Sequence, residues 1–111
     1  MRYGLEEITI KKINEVFSRF PEIKEVVLYG SRAMGKHKTG ADIYLTILSD
    51  KIEMVTLYKI ERELDDLLLP YTINLSIRRY IQNPNLLDHI KNVGNTFYSV
   101  QTRPHRLPKT C

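Results

Sequence analysis

The sequence predicts an α/β fold, in which one β-sheet is covered by helices within a single domain. Its 111 residues suit one compact core. Hydrophobic residues make up 42% of the chain and charged residues 27%, as in ordinary globular proteins. Segments with helical spacing of apolar residues alternate with short runs typical of strands, and their order is α-β-β-α-β-α-β.

The first half of the chain is predicted to form one helix and two strands. Apolar residues recur at helical spacing from about Leu5 to Arg19, and Pro21 ends that segment. Three consecutive apolar residues in Lys24–Tyr29 are typical of a strand covered on both faces. Apolar and polar residues alternate in Ala41–Leu48, as expected for a second strand. One face of this strand carries Asp42, Tyr44 and Thr46, and the other carries Ile43, Leu45 and Ile47.

A long helix and a third strand are predicted next. Asp50 is a candidate N-cap, and Glu53 three residues later completes a capping-box pattern. The helix is expected to continue as far as Pro70. Residues alternate again in Thr72–Arg78, which predicts a strand. The apolar residues of the helix are Ile52, Val55, Tyr58, Leu64, Leu67 and Leu68.

The last part of the domain is predicted to be a short helix and a fourth strand. Asn83 is a typical N-cap, and the proline that follows it favours a helix over Pro84 to about Val93. Gly94 lies just past the end of that helix. Thr96–Val100 is then the last strand, so that the domain spans residues 1–100.

The positive charge of the chain is concentrated after this domain. The net charge is +4 and the isoelectric point is near 9.2. Gln101–Cys111 contains Arg103, Arg106 and Lys109 and no acidic residue, so residues 1–100 carry a net charge of only +1. Nucleic acid is therefore not an expected partner of the domain. Residues 101–111, with two prolines, are predicted to form a flexible basic tail.

Composition also bears on the cellular location. The sequence has no apolar run near the ~20 residues of a membrane span and no apolar signal segment, which predicts a cytoplasmic protein without membrane contact. The single cysteine, Cys111, excludes an internal disulfide and a thiolate metal cluster.

A glycine turn followed by a strand aspartate is the chemically informative feature. Gly30 lets the backbone turn sharply and approach a ligand closely. Ser31 can donate a hydrogen bond to a phosphate oxygen, as can the backbone N–H groups of a short helix that begins there. Asp42 lies on the polar face of the next strand, where a hard cation would bridge its carboxylate to that phosphate.

Residues 28–35, Leu-Tyr-Gly-Ser-Arg-Ala-Met-Gly, with Asp42-Ile43 seven residues later, resemble the signature of minimal nucleotidyltransferases of the DNA polymerase β superfamily. The resemblance extends from the first helix to about Tyr98 and includes the Asn83–Ile90 segment. It implies a nucleotidyltransferase domain with a small mixed sheet flanked by helices. The implied activity is Mg²⁺-dependent transfer of a nucleotide, AMP from ATP, to a hydroxyl acceptor. Domains of this kind resemble antitoxin partners of helical HEPN-type ribonucleases.

The resemblance also assigns roles to individual residues. Gly30, Ser31 and Arg32 would bind the nucleotide, and Asp42 would be a metal ligand and a catalytic residue. His89 is expected to cap or pack on its short helix rather than to bind metal.

Two positions depart from the family signature, which has Asp-x-Asp on this strand and a third Asp on a later one. Tyr44 stands at the second acidic position and Asn74 at the third. A phenol with a pKa of about 10 stays neutral at pH 7, and an amide carries no charge and is a poor base. One carboxylate would leave two divalent cations largely uncompensated, so we expect weak or absent transfer.

Alternatives remain at both the residue and the functional level. Tyr44 is also typical of a half-buried strand face, and Asn74 of an exposed one. The chain is therefore either an impaired enzyme or a catalytically inactive module that binds a HEPN-type partner, with or without a bound nucleotide. A third alternative is that the two substitutions are engineered or accidental in an otherwise active protein.

Overall fold

The computed structural model describes residues 1–100, and all statements about structure concern this part of the chain. The predicted order of elements is confirmed, with one additional short helix after the first strand. A single 3₁₀ turn, Arg78–Tyr80, follows the third strand. The elements are α1 (Glu7–Ser18), β1 (Glu25–Tyr29), α2 (Ser31–Met34), β2 (Ile43–Leu48), α3 (Met54–Asp65), β3 (Ile73–Ile77), α4 (Pro84–Val93) and β4 (Asn95–Ser99).

The four strands form one mixed sheet in the order β3-β2-β1-β4. β1 pairs antiparallel with both β2 and β4, whereas β2 and β3 are parallel. The parallel pair requires a crossover connection, and α3 supplies it. The predicted α/β class with a small mixed sheet and flanking helices is therefore confirmed.

The hydrophobic core lies between one face of the sheet and the helices α1 and α3. Alternate residues of each strand point into this core, because side chains of a strand alternate between faces. Phe17 of α1 is fully buried, and its ring packs 5.7 Å from that of Tyr98. Other core residues are Ile10, Ile13 and Val16 of α1, Val26 and Leu28 of β1, Ile43, Leu45 and Ile47 of β2, Leu57, Ile60 and Leu64 of α3, and Leu75 and Ile77 of β3.

The other face of the sheet is partly covered by α4. Asn83 caps this helix as predicted, since its Oδ1 accepts hydrogen bonds from the N–H groups of Asn85 and Leu86 at 2.9 and 3.2 Å. The end of the helix lies on the sheet, because a Cβ at Gly94 would come within 2.6 Å of Val27 Cγ1. Strand residues beyond this contact form a polar surface, which holds the candidate site.

The predicted start of α3 was wrong. The helix begins at Met54, and Glu53 is its N-cap without a side-chain capping bond. The segment before it is fixed by tertiary contacts: Arg79 donates to the carbonyls of Ser49, at 2.9 Å, and of Ile52. Ile52 is fully buried. These contacts fix the segment before Met54, in which Asp50 and Lys51 form a bend, so that no helix begins at Asp50.

The predicted end of α3 was also wrong. The helix ends at Asp65 rather than near Pro70. Leu68 adopts a φ of 55°, in the left-handed region that a right-handed helix cannot include. Val55 and Tyr58, predicted to lie on the apolar face, are exposed.

Two further expectations concern the tail and membrane-spanning segments. The predicted basic tail, residues 101–111, lies outside the described residues. Among residues 1–100, no helix is both long enough and apolar enough to cross a membrane.

Candidate nucleotide site

The turn between β1 and α2 is built on Gly30. Its φ of 84° and ψ of −161° are accessible almost only to glycine. Its carbonyl accepts hydrogen bonds from the N–H groups of Ala33 and Met34, at 3.1 and 3.3 Å, which begins the short helix α2. Its own N–H donates to His89 Nε2 at 3.0 Å. The turn is therefore held from both sides, by α2 and by α4.

Tyr44 lies directly against this turn. A Cβ at Gly30 would be 3.2 Å from Tyr44 Cδ2 and 3.7 Å from Tyr44 Cβ. The Tyr44 ring also packs against the ring of Tyr29, with centroids 5.7 Å apart, and the side chain is 38% exposed. The ring of Tyr44 thus covers one side of the backbone that a phosphate would have to approach.

Asp42 and Asn74 lie next to each other at the edge of the same face. β2 and β3 run parallel with Tyr44 paired to Asn74, which brings the residue before β2 close to β3. Asn74 Nδ2 donates a hydrogen bond to Asp42 Oδ2 at 3.2 Å. The amide of Asn74 therefore presents an N–H to the Asp42 carboxylate, whereas the family signature has the third acidic residue at this position.

Further along the same face, the polar side chains are bonded to one another. Ser76 Oγ donates to Thr46 Oγ1 at 2.9 Å, and Thr46 is fully buried. Burial raises the pKa of the Tyr29 phenol, while a hydrogen bond with Ser76 opposes that shift. These hydroxyls are neutral, so the floor of the site adds polarity and no charge.

Arg32, which the resemblance assigns to nucleotide binding, is a buried side chain. The side chain is only 3% exposed. Its Nε and Nη2 donate to the carbonyl of Ala41 at 3.1 and 2.8 Å, and its Nη1 donates to the carbonyl of Tyr3 at 2.8 Å. The guanidinium also lies 5.0 Å from the centre of the Tyr71 ring. The buried cation therefore fixes the backbone beside Asp42, and its contact with a nucleotide stays a prediction.

Comparison of the sequence with profiles of protein families gives a match over most of the chain. Residues 11–103 match the profile of the family described as polymerase beta, nucleotidyltransferase. The chain belongs to this nucleotidyltransferase family. No curated protein matches the chain.

Solved structures share the nucleotidyltransferase fold. A toxin–antitoxin structure with AMP-PNP is 19% identical, with a TM-score of 0.65, and the match covers 87% of this chain and 76% of that one. The structure of a tri-AMPylated Shewanella oneidensis HEPN toxin in complex with an MNT antitoxin is 16% identical, with a TM-score of 0.63 and coverages of 87% and 75%. A putative nucleotidyltransferase from Sulfolobus solfataricus is 18% identical, with a TM-score of 0.52 and coverages of 89% and 94%.

The magnesium chemistry of the nucleotidyltransferase family does not fit the residues of this site. Asp42 is the only carboxylate at the three signature positions, and it already accepts a hydrogen bond from Asn74. Within residues 1–100, no three His, Cys, Asp or Glu side chains lie close enough together to hold a metal ion. A phenol and an amide supply no negative charge to balance divalent cations.

The structure brings together most of the residues that the sequence singled out. Tyr44 of β2 lies beside Gly30 at the end of β1. Asp42, just before β2, accepts a hydrogen bond from Asn74 of β3. Ser31 opens α2 directly after the turn. His89 was expected only to cap or pack on its own helix. Its bond to the turn depends on how α4 docks on the sheet, and the only signal for it was the Asn83–Ile90 segment of the family resemblance.

Proposed function

We propose that this protein is an antitoxin-like member of the nucleotidyltransferase family that binds a HEPN-type partner protein and transfers nucleotides weakly or not at all. The HEPN-type partner is proposed from the similarity to toxin–antitoxin structures. The observation that carries the loss of transfer is the hydrogen bond from Asn74 to Asp42. It pairs the remaining carboxylate with a neutral amide. Such a protein would act in the cytoplasm, where both members of the pair meet.

The electrostatics of the site support the loss of transfer. A two-metal mechanism clamps the triphosphate between divalent cations and stabilises both the attacking and the leaving oxygen. Hard cations such as Mg²⁺ are bound by oxygen ligands, of which carboxylates supply the negative charge. With Tyr44 and Asn74 in place of acids, Asp42 alone would balance that charge. Metal affinity is expected to fall accordingly.

Steric contact supports the same conclusion. Tyr44 lies on the side of Gly30 where a Cβ would be, and that Cβ would come within 3.2 Å of the Tyr44 ring. A triphosphate that approaches Gly30 from this side would have to displace the ring. Displacement would also disturb its packing against Tyr29.

The second candidate function is residual Mg²⁺-dependent transfer of AMP from ATP to a hydroxyl acceptor. The observation that favours it is the intact turn, in which Gly30 retains its glycine-specific backbone conformation and Ser31 opens α2. Asp42 would then be the remaining metal ligand.

Calorimetric titration of ATP with and without Mg²⁺ separates these two functions. For the wild-type chain we expect an ATP affinity that Mg²⁺ changes by less than about twofold. The matched control is the double variant Tyr44→Asp and Asn74→Asp, which restores the acids of the family signature. In that variant Mg²⁺ should tighten ATP binding by tenfold or more. Strong tightening in the wild type would refute the loss of the metal site.

The proposed binding of a HEPN-type partner is tested by neutralising Asp42, the remaining acid of the three signature positions. In cells that express a HEPN-type ribonuclease, the wild-type chain and Asp42→Asn should restore growth equally if binding alone protects. Protection that disappears with Asp42→Asn, together with AMP found on the ribonuclease by mass spectrometry, would instead establish transfer.

A further inference from the structure

A cavity lies beside the loop that joins α2 to β2. It has a volume of about 350 Å³, and its walls include Gly4, Arg32, His37, Lys38, Thr39 and Tyr71. Neither Gly30, Ser31 nor Asp42 lines it. The cavity is thus separate from the nucleotide turn, although Arg32 joins the two regions through its bonds to the backbone beside Asp42.

The buried charge in this cavity has no counter-ion in the described part of the chain. Arg32 is 3% exposed, and its hydrogen-bond acceptors are the neutral carbonyls of Tyr3 and Ala41. Ion pairs within residues 1–100 join Arg2 to Glu7 and Arg19 to Glu63, and none involves Arg32. Buried charges in proteins are usually paired, so an uncompensated guanidinium at a cavity wall favours an anion.

His37 lies beside the guanidinium in the same wall of the cavity. Its Nδ1 is buried without a hydrogen-bond partner within the described chain. The ring lies against Gly4, where a Cβ would collide with His37 Nε2 and would be 2.9 Å from Arg32 Nη1. Both side chains therefore border the same small space. His37 lines the cavity, and its Nε2 lies beside Gly4, another residue of the wall, so a proton on Nε2 would give the imidazole a donor near the ligand.

The rest of the wall has the same character. Lys38 adds an ammonium group and Thr39 a hydroxyl, and no acidic residue lines the cavity. Two other cavities of the described chain each include an acidic residue, Asp65 in one and Glu25 in the other. The combination of guanidinium, imidazole, ammonium and hydroxyl donors without a carboxylate suits a phosphate group, which carries up to two charges and three free acceptor oxygens.

We propose that the cavity lined by Arg32, His37, Lys38 and Thr39 binds the phosphate group of a small molecule. The bound group is either inorganic phosphate or a phosphomonoester such as a nucleoside monophosphate. Occupancy would compensate the buried Arg32 and would stabilise the loop that leads into Asp42. This proposal is independent of whether the protein transfers nucleotides or binds a HEPN-type partner.

The test is a titration of the isotopically labelled full chain with sodium phosphate, followed by NMR, with sodium chloride at equal ionic strength as the reference. Phosphate should cause saturable shifts of the Thr39 and Gly40 amides and of the His37 ring. Shifts that stay linear in phosphate concentration, or that chloride reproduces, would overturn the proposal.

Two lysines of the same loop provide a matched pair of variants. Lys38 lines the cavity and Lys36 does not, although both are exposed and carry the same charge. Lys38→Ala should weaken phosphate binding about tenfold, as expected for one charge-assisted hydrogen bond, and Lys36→Ala by less than twofold. Equal losses would mean diffuse attraction to a basic loop and would refute a site. Thr39→Val gives an independent check, since it removes only a hydroxyl and should also weaken binding.

Titration with AMP distinguishes the two sources of the phosphate group. Saturable AMP shifts at Thr39 and Gly40, lost in Lys38→Ala, would identify a phosphomonoester ligand. AMP shifts confined to Gly30 and Ser31, with phosphate shifts at Thr39 and Gly40, would identify inorganic phosphate. Absence of shifts at Thr39 and Gly40 with both ligands would exclude the site.

Discussion

At the scale of single residues, Gly30 and Tyr44 constrain each other. Gly30 has a backbone conformation that costs other residues about 1–3 kcal/mol, and a Cβ there would be 3.2 Å from the Tyr44 ring. We therefore expect Gly30→Ala to reduce the free energy of unfolding by about 3 kcal/mol, combining strain with this contact. Urea unfolding followed by circular dichroism measures the change.

Gly35 provides the control for that experiment. Its φ is 71°, but a Cβ there would meet nothing within 4 Å. Gly35→Ala should therefore cost only the strain of a left-handed residue, about 1 kcal/mol. Adding Tyr44→Ala to Gly30→Ala should recover part of the loss. If it recovers nothing, the ring of Tyr44 does not press on the turn as described.

Tyr29 should titrate above the ordinary pKa of a tyrosine. Burial raises its pKa above the ordinary value of about 10. Because the folded state then holds the phenolic proton more tightly than the unfolded state, the stabilisation is complete below pH 10 and is lost as pH rises through the raised pKa. In an ultraviolet absorbance titration, Tyr29→Phe should remove one tyrosine ionisation from the part of the curve above pH 10. A transition that persists in Tyr29→Phe belongs to another tyrosine.

The sequence predicted the strand face on which Asp42 and Tyr44 lie, but not the contacts that the candidate residues make. Strand alternation placed Asp42 and Tyr44 on one face, and the parallel pairing of the strands then brought Asn74 beside Asp42. Arg32 differs, because the direction of its side chain depends on carbonyls of Tyr3 and Ala41 from other parts of the chain. Local pattern carries no information about such contacts.

At the scale of elements, α4 depends on its cap. Asn83 Oδ1 accepts two backbone N–H groups that would otherwise lack a partner at the helix start. Asn83→Ala should lower the free energy of unfolding by about 1 kcal/mol. Asn85→Ala, two residues on, is the control: it removes no side-chain cap and should be neutral or slightly stabilising because alanine favours helix. Denaturant unfolding of both variants decides, and equal effects would argue against the cap.

Elements were predictable where local signals agreed with packing. The Asn83-Pro84 signal worked because the cap bonds are local to the helix start. The Asp50–Glu53 signal failed because Arg79, almost thirty residues away, binds the carbonyls of Ser49 and Ile52 and fixes the chain before α3. Tertiary contacts of this kind override local propensity and account for the wrong start of α3. The early end of α3 is marked by the left-handed backbone conformation of Leu68.

At the scale of the whole molecule, the two faces of the sheet have different functions. The core face, covered by α1 and α3, contains the buried aliphatic residues. The opposite face holds Tyr29, Tyr44, Asn74, Thr46 and Ser76, with α4 covering only part of it. Stability should therefore depend mainly on the core face. This separation explains how the fold of the family is retained although two of the signature acids are absent.

The separation predicts a specific order of stabilities. Phe17 is fully buried against Tyr98, so Phe17→Ala should reduce the free energy of unfolding by about 3–5 kcal/mol. Ile8 lies on the same helix but is 54% exposed, and Ile8→Ala should cost less than about 0.5 kcal/mol. The double variant Tyr44→Asp and Asn74→Asp should fall between these two, because it leaves the core unchanged but removes the packing of Tyr44 on Tyr29 and places like charges opposite each other beside Asp42. A loss as large as that of Phe17→Ala would show instead that the polar face contributes as much to the stability of the fold as the core does. Tyr44 and Asn74 would then be residues that stabilise the fold, and not only replacements of catalytic acids.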